Sequence, residues 1–140
     1  MQTFTIDASI ALKWVTFEKE LYLDKAKQIF INGVKKKIIL ISPTLLKAEV
    51  ANILLKKKKF SVRNVQKALR NIISANIIFT ELNDSLINKA ISLAKKYDLS
   101  VYDGIYLATS EFSKALLLSA DEKGHGKIKE VILLKNLKLH

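Results

Sequence analysis

Short blocks of branched apolar residues alternate along this chain with longer stretches whose apolar positions recur every three or four residues, the signature of strands alternating with helices. Phe4 to Ile6 reads as a first strand, with Asp7 at its carboxyl end, and 8–15 as a helix carrying Ile10 and Trp14. After a charged joint at 18–20, the stretch from Leu21 to Val34 places Leu23, Ala26, Ile29, Phe30 and Val34 on one helical stripe. Ile38 to Ile41 is short, branched and apolar on both faces, as a buried parallel strand should be. Ser42 and Pro43 then precede one long helix from Thr44 to about Lys59, with the proline near its first turn. Ser61 caps a helix through Val65, Leu69 and Ile72, and Ile77 to Phe79 is a third strand. Asn83 or Asp84 caps a helix through Ile87, Ile91 and Ala94, and Tyr102 to Lys114 forms another. Ala115 to Leu118 and Val131 to Leu134 are the last two strands, with Gly124 and Gly126 loosening the link between them.

This order predicts an α/β fold, a three-layer α/β/α sandwich around a mostly parallel five-stranded sheet with right-handed crossovers. A chain of 140 residues that is 49% hydrophobic is sized for one such domain, 1–140. Ligands of open parallel sheets bind beyond the carboxyl ends of the strands, where the strand order reverses. Asp7 and Asp121 are both expected there.

Charge narrows the partners. Lysine and arginine number 24 against 13 acidic residues, a formal net charge of +11, so polyanions are favoured, although a lysine-rich surface also serves solubility alone. The absence of cysteine excludes disulfides, a thiolate zinc site and a cysteine nucleophile. No stretch approaches the roughly 20 apolar residues of a membrane helix, and no leader precedes the first strand, which suits a cytoplasmic protein.

Against this basic background four acids stand out. Asp7, Asp103 and Asp121 each lie where a helix cap would be ordinary. Glu49 differs, since helical geometry puts it close to Leu45 and Ile53 and nearly opposite Lys47 and Lys58, on the inward face. A buried carboxylate needs either a cationic partner or a metal. Two carboxylates about 4 Å apart repel by roughly 4 kcal/mol at an effective dielectric near 20, so a close cluster protonates or takes a cation. With oxygen donors only, Mg²⁺ or Mn²⁺ fits.

The segments FTIDASIALKW, LLKAEVANILLK, LSVYDGIYLATS and LLLSADEK, in this order and spacing over nearly the whole chain, resemble the PIN-domain nucleases, in particular the VapC-type toxins of toxin–antitoxin pairs. The resemblance implies a metal-dependent endoribonuclease whose acidic residues fall on Asp7, Glu49, Asp103 and Asp121. Asp7 and Asp103 are then the principal ligands of Mg²⁺ or Mn²⁺, and Glu49 and Asp121 further ligands, direct or through water, of one ion or two. Ser119 and Asn52 belong to the surrounding hydrogen-bonding shell. Gly104 stands where many relatives carry alanine, with no functional consequence expected. The resemblance also implies a homodimer and an antitoxin protein that covers the acidic groove.

For the RNA backbone, Lys56, Lys57, Lys58 and Lys59, followed by Phe60 with Arg63 and Arg70 beyond, combine phosphate-neutralising cations with an aromatic that can stack on a base, although a solvated helix end also explains them. Lys13 is a second candidate, nearer Asp7. His125 and His140 are poorly placed for paired acid–base chemistry and read as surface residues. The rivals are a basic RNA-binding module without catalysis, a PIN nuclease with a housekeeping RNA-processing role, and a receiver-like signalling domain. The last fails on Thr80 and Glu81, which stand where a phosphoacceptor aspartate is required.

Overall fold

The computed structural model describes residues 1–16, 22–121, 128 and 131–139. The joint at 18–20, the start of the second helix at Leu21, the Gly124 and Gly126 link, and both histidines lie outside the described residues.

Strands β1 (Thr3–Ile6), β2 (Ile39–Pro43), β3 (Ile78–Thr80), β4 (Leu117–Ser119) and β5 (Val131–Leu133) form one sheet in the order β3-β2-β1-β4-β5. Every pairing is parallel, with Phe4 opposite Leu40 and Ile6 opposite Leu118. Helices α1 (Ala8–Val15), α2 (Leu23–Val34), α3 (Leu45–Asn52) and α4 (Val62–Ile73) belong to the connections that step from β1 out to β3. Helices α5 (Asp84–Tyr97) and α6 (Val101–Ser113) belong to the return from β3 to β4. Because crossovers between parallel strands are right-handed, reversing the direction of travel puts the second group on the opposite face. The result is the three-layer sandwich expected. Ile6, Leu40, Leu117 and Leu118 are buried in the middle layer, between Ile10, Ile29, Leu46 and Leu54 and the α6 residues Tyr106 and Leu107. The strand order reverses between β1 and β4, so the binding edge falls where those strands end, at Asp7 and Ser119.

Several boundaries differ from the expectation for identifiable reasons. Pro43 ends β2 instead of opening a helix; it lacks an N–H, and the neighbouring Thr44 N–H supplies the bond to the Thr80 carbonyl (3.0 Å). Strand β4 starts two residues late because Ala115 still closes α6, its N–H on the Ser110 carbonyl (3.1 Å). Asn83, not Asp84, caps α5, accepting from Leu86 N–H at 2.9 Å, and Ser100 caps α6, accepting from Asp103 N–H at 3.0 Å.

The helix expected from Thr44 to Lys59 is also not continuous. After α3 it widens into a π-helical turn, Ile53–Lys57, in which Lys58 N–H reaches back five residues to the Ile53 carbonyl (3.0 Å). Lys59 then takes a left-handed conformation (φ 58°) that stops the helix. Helix-forming residues fill the whole stretch, so nothing local marks this change of pitch.

Gly104 has a structural reason. A Cβ built on it would lie 2.4 Å from the Ala90 carbonyl oxygen of α5, an obstacle of backbone and not of movable side chain. Glycine therefore sets how closely α5 and α6 pack, and with it the seat of Asp103 next door. Gly104→Ala is expected to cost about 1–3 kcal/mol of stability, the usual penalty for overpacking. Urea denaturation measures this, and an unchanged midpoint would mean that the two helices separate without penalty.

Candidate active site

Asp7 is the residue around which the site is built. It ends β1 and caps α1, its Oδ1 accepting from the backbone N–H groups of Ser9 (3.0 Å) and Ile10 (3.4 Å), yet only 5% of its surface is exposed. Two hydroxyls complete the shell. Ser9 Oγ donates to Oδ1 and Ser119 Oγ to Oδ2, each at 2.5 Å. The same hydroxyls then accept from the strand that lies alongside, Ser9 from Ala120 N–H (2.8 Å) and Ser119 from Asp121 N–H (3.0 Å). Capping and site membership are thus not alternatives for Asp7, because the charge is buried where several donors can be aimed at it.

Glu49, on α3, is half-buried, and its Oε2 accepts a hydrogen bond from Tyr106 Oη at 3.1 Å. Its recorded partner is therefore a neutral phenol, not the core-facing lysine that a buried salt bridge would need. Burial pushes the Glu49 carboxyl above the ordinary glutamate range, the Tyr106 hydrogen bond pulls it back, and the negative charges of Asp103 and Asp7 push it further up. The Tyr106 phenol is raised far above the ordinary tyrosine value by burial first, then by the charge of Glu49, so it stays protonated and remains a donor. Asp103 sits in the first turn of α6, half-buried, where the helix dipole favours a carboxylate.

Asp7, Glu49 and Asp103 thus lie within electrostatic reach of one another. Asp121 is placed differently, exposed two residues beyond β4 and tied in through its backbone N–H to Ser119, and it is not among the charges acting on Glu49. Among the described residues no three acidic or histidine side chains are drawn into a ready-made ligand cage. The donor set nevertheless fits a hard divalent cation, since magnesium commonly takes one or two carboxylates and fills its other positions with water and substrate phosphate. The charges of Asp103 and Asp7 add to the rise of the Glu49 carboxyl, and a cation placed among the three would relieve that repulsion.

The expected basic residues are at the surface in part. Lys56, Lys57, Lys59, Arg63 and Arg70 are exposed, whereas Lys58 and Lys13 are half-buried. Phe60 is half-buried, packed against the core and lining a hollow with Trp14 and Asn64. Asn52 is exposed and lines a shallow hollow with Ala48, Glu49 and Tyr102. Sequence reasoning missed Ser9 and Tyr106. Both had a usable signal, Ser9 in the capping turn of Asp7 and Tyr106 three residues beyond Asp103 on the same helical face.

The family model of the PIN domain matches residues 4–131. The chain belongs to the PIN-domain family. Solved structures share its fold. A toxin–antitoxin complex from Klebsiella pneumoniae superposes with a TM-score of 0.67 at 17% identity, covering 96% of this chain and 99% of that one. A VapC toxin from Mycobacterium tuberculosis, described as cleaving the sarcin–ricin loop, gives 0.67 at 14% identity over 87% and 91%. A VapBC complex from Rickettsia felis, bound to a promoter DNA fragment, gives 0.65 at 11% identity over 94% and 97%. No curated protein matches the sequence. In this PIN domain, then, the carboxylates occupy the carboxyl edge of the β1–β4 switch point, on a fold shared with VapC toxins. None of its described helices is long and apolar enough to cross a membrane.

The raised Glu49 carboxyl makes a prediction about the metal-free protein. The folded state binds this proton more tightly than the unfolded chain, so the contribution of Glu49 to stability is greatest below the ordinary glutamate pKa and is lost as pH rises through the raised one. Glu49→Gln removes the charge while its amide oxygen still accepts from Tyr106. In the presence of chelator the variant should melt above wild type at pH 7.5, with the gap closing on acidification. A gap that stays constant with pH would contradict this.

Proposed function

We propose that this PIN domain is a divalent-metal-dependent endoribonuclease of the VapC type, acting in the cytoplasm as the toxin of a toxin–antitoxin pair. The observation that carries the reading is the gathering of Asp7, Glu49 and Asp103 at the sheet's switch point in a chain whose formal net charge is +11. Family membership supports it, as does the likeness of fold to proteins described as toxins.

In this reading Asp7 and Asp103 are the principal metal ligands, and Glu49 and Asp121 bind directly or through water. A bound Mg²⁺ or Mn²⁺ supplies Lewis-acid polarisation of the scissile phosphate and a water acidic enough to serve as nucleophile. The protein's own work is positional. Ser9 and Ser119 lock the Asp7 carboxylate, Tyr106 holds one oxygen of Glu49, and the first turn of α6 presents Asp103. Lys13, Lys56, Lys57, Lys58, Lys59 and Arg63 attract and hold the RNA backbone. Cleavage then leaves a 5′-phosphate and a 3′-hydroxyl and has no need of the 2′-hydroxyl as attacking group. The whole chain, 1–140, acts as one domain, paired with a second copy and silenced by an antitoxin that covers the acidic groove; the likeness to toxin–antitoxin complexes supports such a partner.

Asparagine caps a helix as well as aspartate does, so Asp7→Asn keeps the α1 cap while giving up the second acceptor oxygen facing Ser119, and circular dichroism checks that the variant is folded. Asp7→Asn and Asp103→Asn should each reduce Mn²⁺-dependent RNA cleavage to the level of a chelator control. Wild type should also gain thermal stability with Mn²⁺ as binding to the native state requires, a gain that both variants lose. Cleavage that survives in the folded variants would exclude this site. Loss of cleavage with no metal response in wild type would instead favour the RNA-binding module.

Neutralising Lys56, Lys57 and Lys59 to glutamine should weaken binding of single-stranded RNA across sequences. The slope of log affinity on log salt should flatten by about 0.7 for each phosphate contact removed. An unchanged slope would move the RNA path to another face.

A further inference from the structure

Beside Glu49 the protein surface opens into a hollow of about 330 Å³ lined by Ala48, Glu49, Asn52 and Tyr102. Three of these come from one turn and a half of α3, and Tyr102 comes from the first turn of α6, immediately before Asp103. Tyr102 is 61% exposed. Asn52 is exposed as well and lines the same hollow. An exposed aromatic, a carboxamide and a short Ala48 that leaves the floor open therefore border the carboxylates directly.

These groups discriminate between the parts of an RNA strand. A phosphate is disfavoured in this hollow, because Glu49 forms part of its wall and no lysine or arginine lines it. A nucleobase is neutral and flat, offers a π-face to an aromatic ring, and carries the donors and acceptors that a carboxamide matches with one side chain. Phe60, the aromatic that follows the lysine run, is packed against the core and cannot offer an open face in the same way.

We infer that this hollow seats one unpaired nucleobase of the substrate RNA, with Tyr102 as the stacking platform and Asn52 reading the base edge, next to the phosphate to be cleaved. The inference rests on the endoribonuclease reading. It adds a specificity pocket to that reading and accounts for strand selection. Paired RNA keeps its bases stacked inside the duplex and cannot fill the hollow, so the enzyme favours loops and single strands. Stacking tolerates every base, and the carboxamide supplies a preference at one position only.

The test is binding of a mixed-sequence single-stranded RNA oligonucleotide to the full chain in chelator, read by fluorescence anisotropy, followed by cleavage of the same RNA with Mn²⁺. Tyr102→Ala should weaken binding about 5- to 150-fold, the range for losing one base–aromatic stack. Tyr102→Phe and Tyr102→Trp should restore it, since they keep the ring. Asn52→Ala should relax the base preference at a single position beside the cut. A fluorescent 2-aminopurine placed there should be quenched by wild type and not by Tyr102→Ala. Equal affinity and equal cleavage pattern in Tyr102→Ala would overturn the inference while leaving the nuclease reading intact. So would RNA binding that stays intact while dimer mass or peptide binding is lost, because that result assigns the hollow to a protein partner. Retained cleavage in Asp7→Asn alongside lost binding in Tyr102→Ala would sink the nuclease site and keep the base pocket. A wild-type protein that binds no RNA would remove both.

Discussion

The structure depends most on how it buries the Asp7 carboxylate. A charge that is 5% exposed at the end of the central strand is tolerable only if surrounding donors replace the water it has lost. Those donors come from two places that must be brought together. The first turn of α1 provides two backbone N–H groups and the Ser9 hydroxyl, and the end of β4 provides Ser119. Because both serines also accept backbone N–H groups from residues just past β4, the network fastens β1 to β4 where the sheet changes direction. The same bonds satisfy a helix terminus, close the switch point and fix the position of a carboxylate.

A second bridge crosses from one face of the sheet to the other. Glu49 arrives on α3, among the helices that lead outward from β1, and Tyr106 on α6, among those that return. Their hydrogen bond meets over the carboxyl edge and sets the distance between two helices that no turn connects. Asp103 and Tyr106 are three residues apart on α6, so one helical face presents a carboxylate and, one turn on, the donor that steadies another carboxylate. Gly104 lies between them and lets α6 approach the Ala90 carbonyl without a Cβ in the way. A glycine that looks like a silent departure from its relatives is thus a packing requirement for the helix that carries the site.

What could be read from the sequence follows the range of the interactions. Five strands and six helices were visible because each depends on local periodicity, a mostly parallel sheet because they alternate, and the cap at Ser61 because capping is a two- or three-residue event. The inward face of Glu49 was likewise a matter of helical arithmetic. The π-helical turn after Asn52, in which Leu54 is buried, was not visible, since Leu and Lys suit either pitch. Nor were the partners of the acids. That Ser9 reaches Ala120, more than a hundred residues away, and that Tyr106 reaches Glu49 are consequences of tertiary packing. Phe60 shows the limit most plainly, for an aromatic beside a lysine run looks the same in sequence whether its ring faces solvent or the core.

The division of charge gives these parts a common logic. Lysine and arginine outnumber acids by 24 to 13 over the whole chain, which draws a polyanion to the surface irrespective of its sequence. The carboxylates act locally in the opposite sense, for the Glu49 carboxyl, raised first by burial, is pushed further up by the charges of Asp103 and Asp7. In the endoribonuclease proposed above, an RNA strand would be held along its backbone by the lysines while its phosphates are kept from the switch point until a cation offsets the local charge. Attraction at long range and exclusion at short range would then make the approach of a phosphate to the acids conditional on metal, while the approach of a neutral base to Tyr102 would not be.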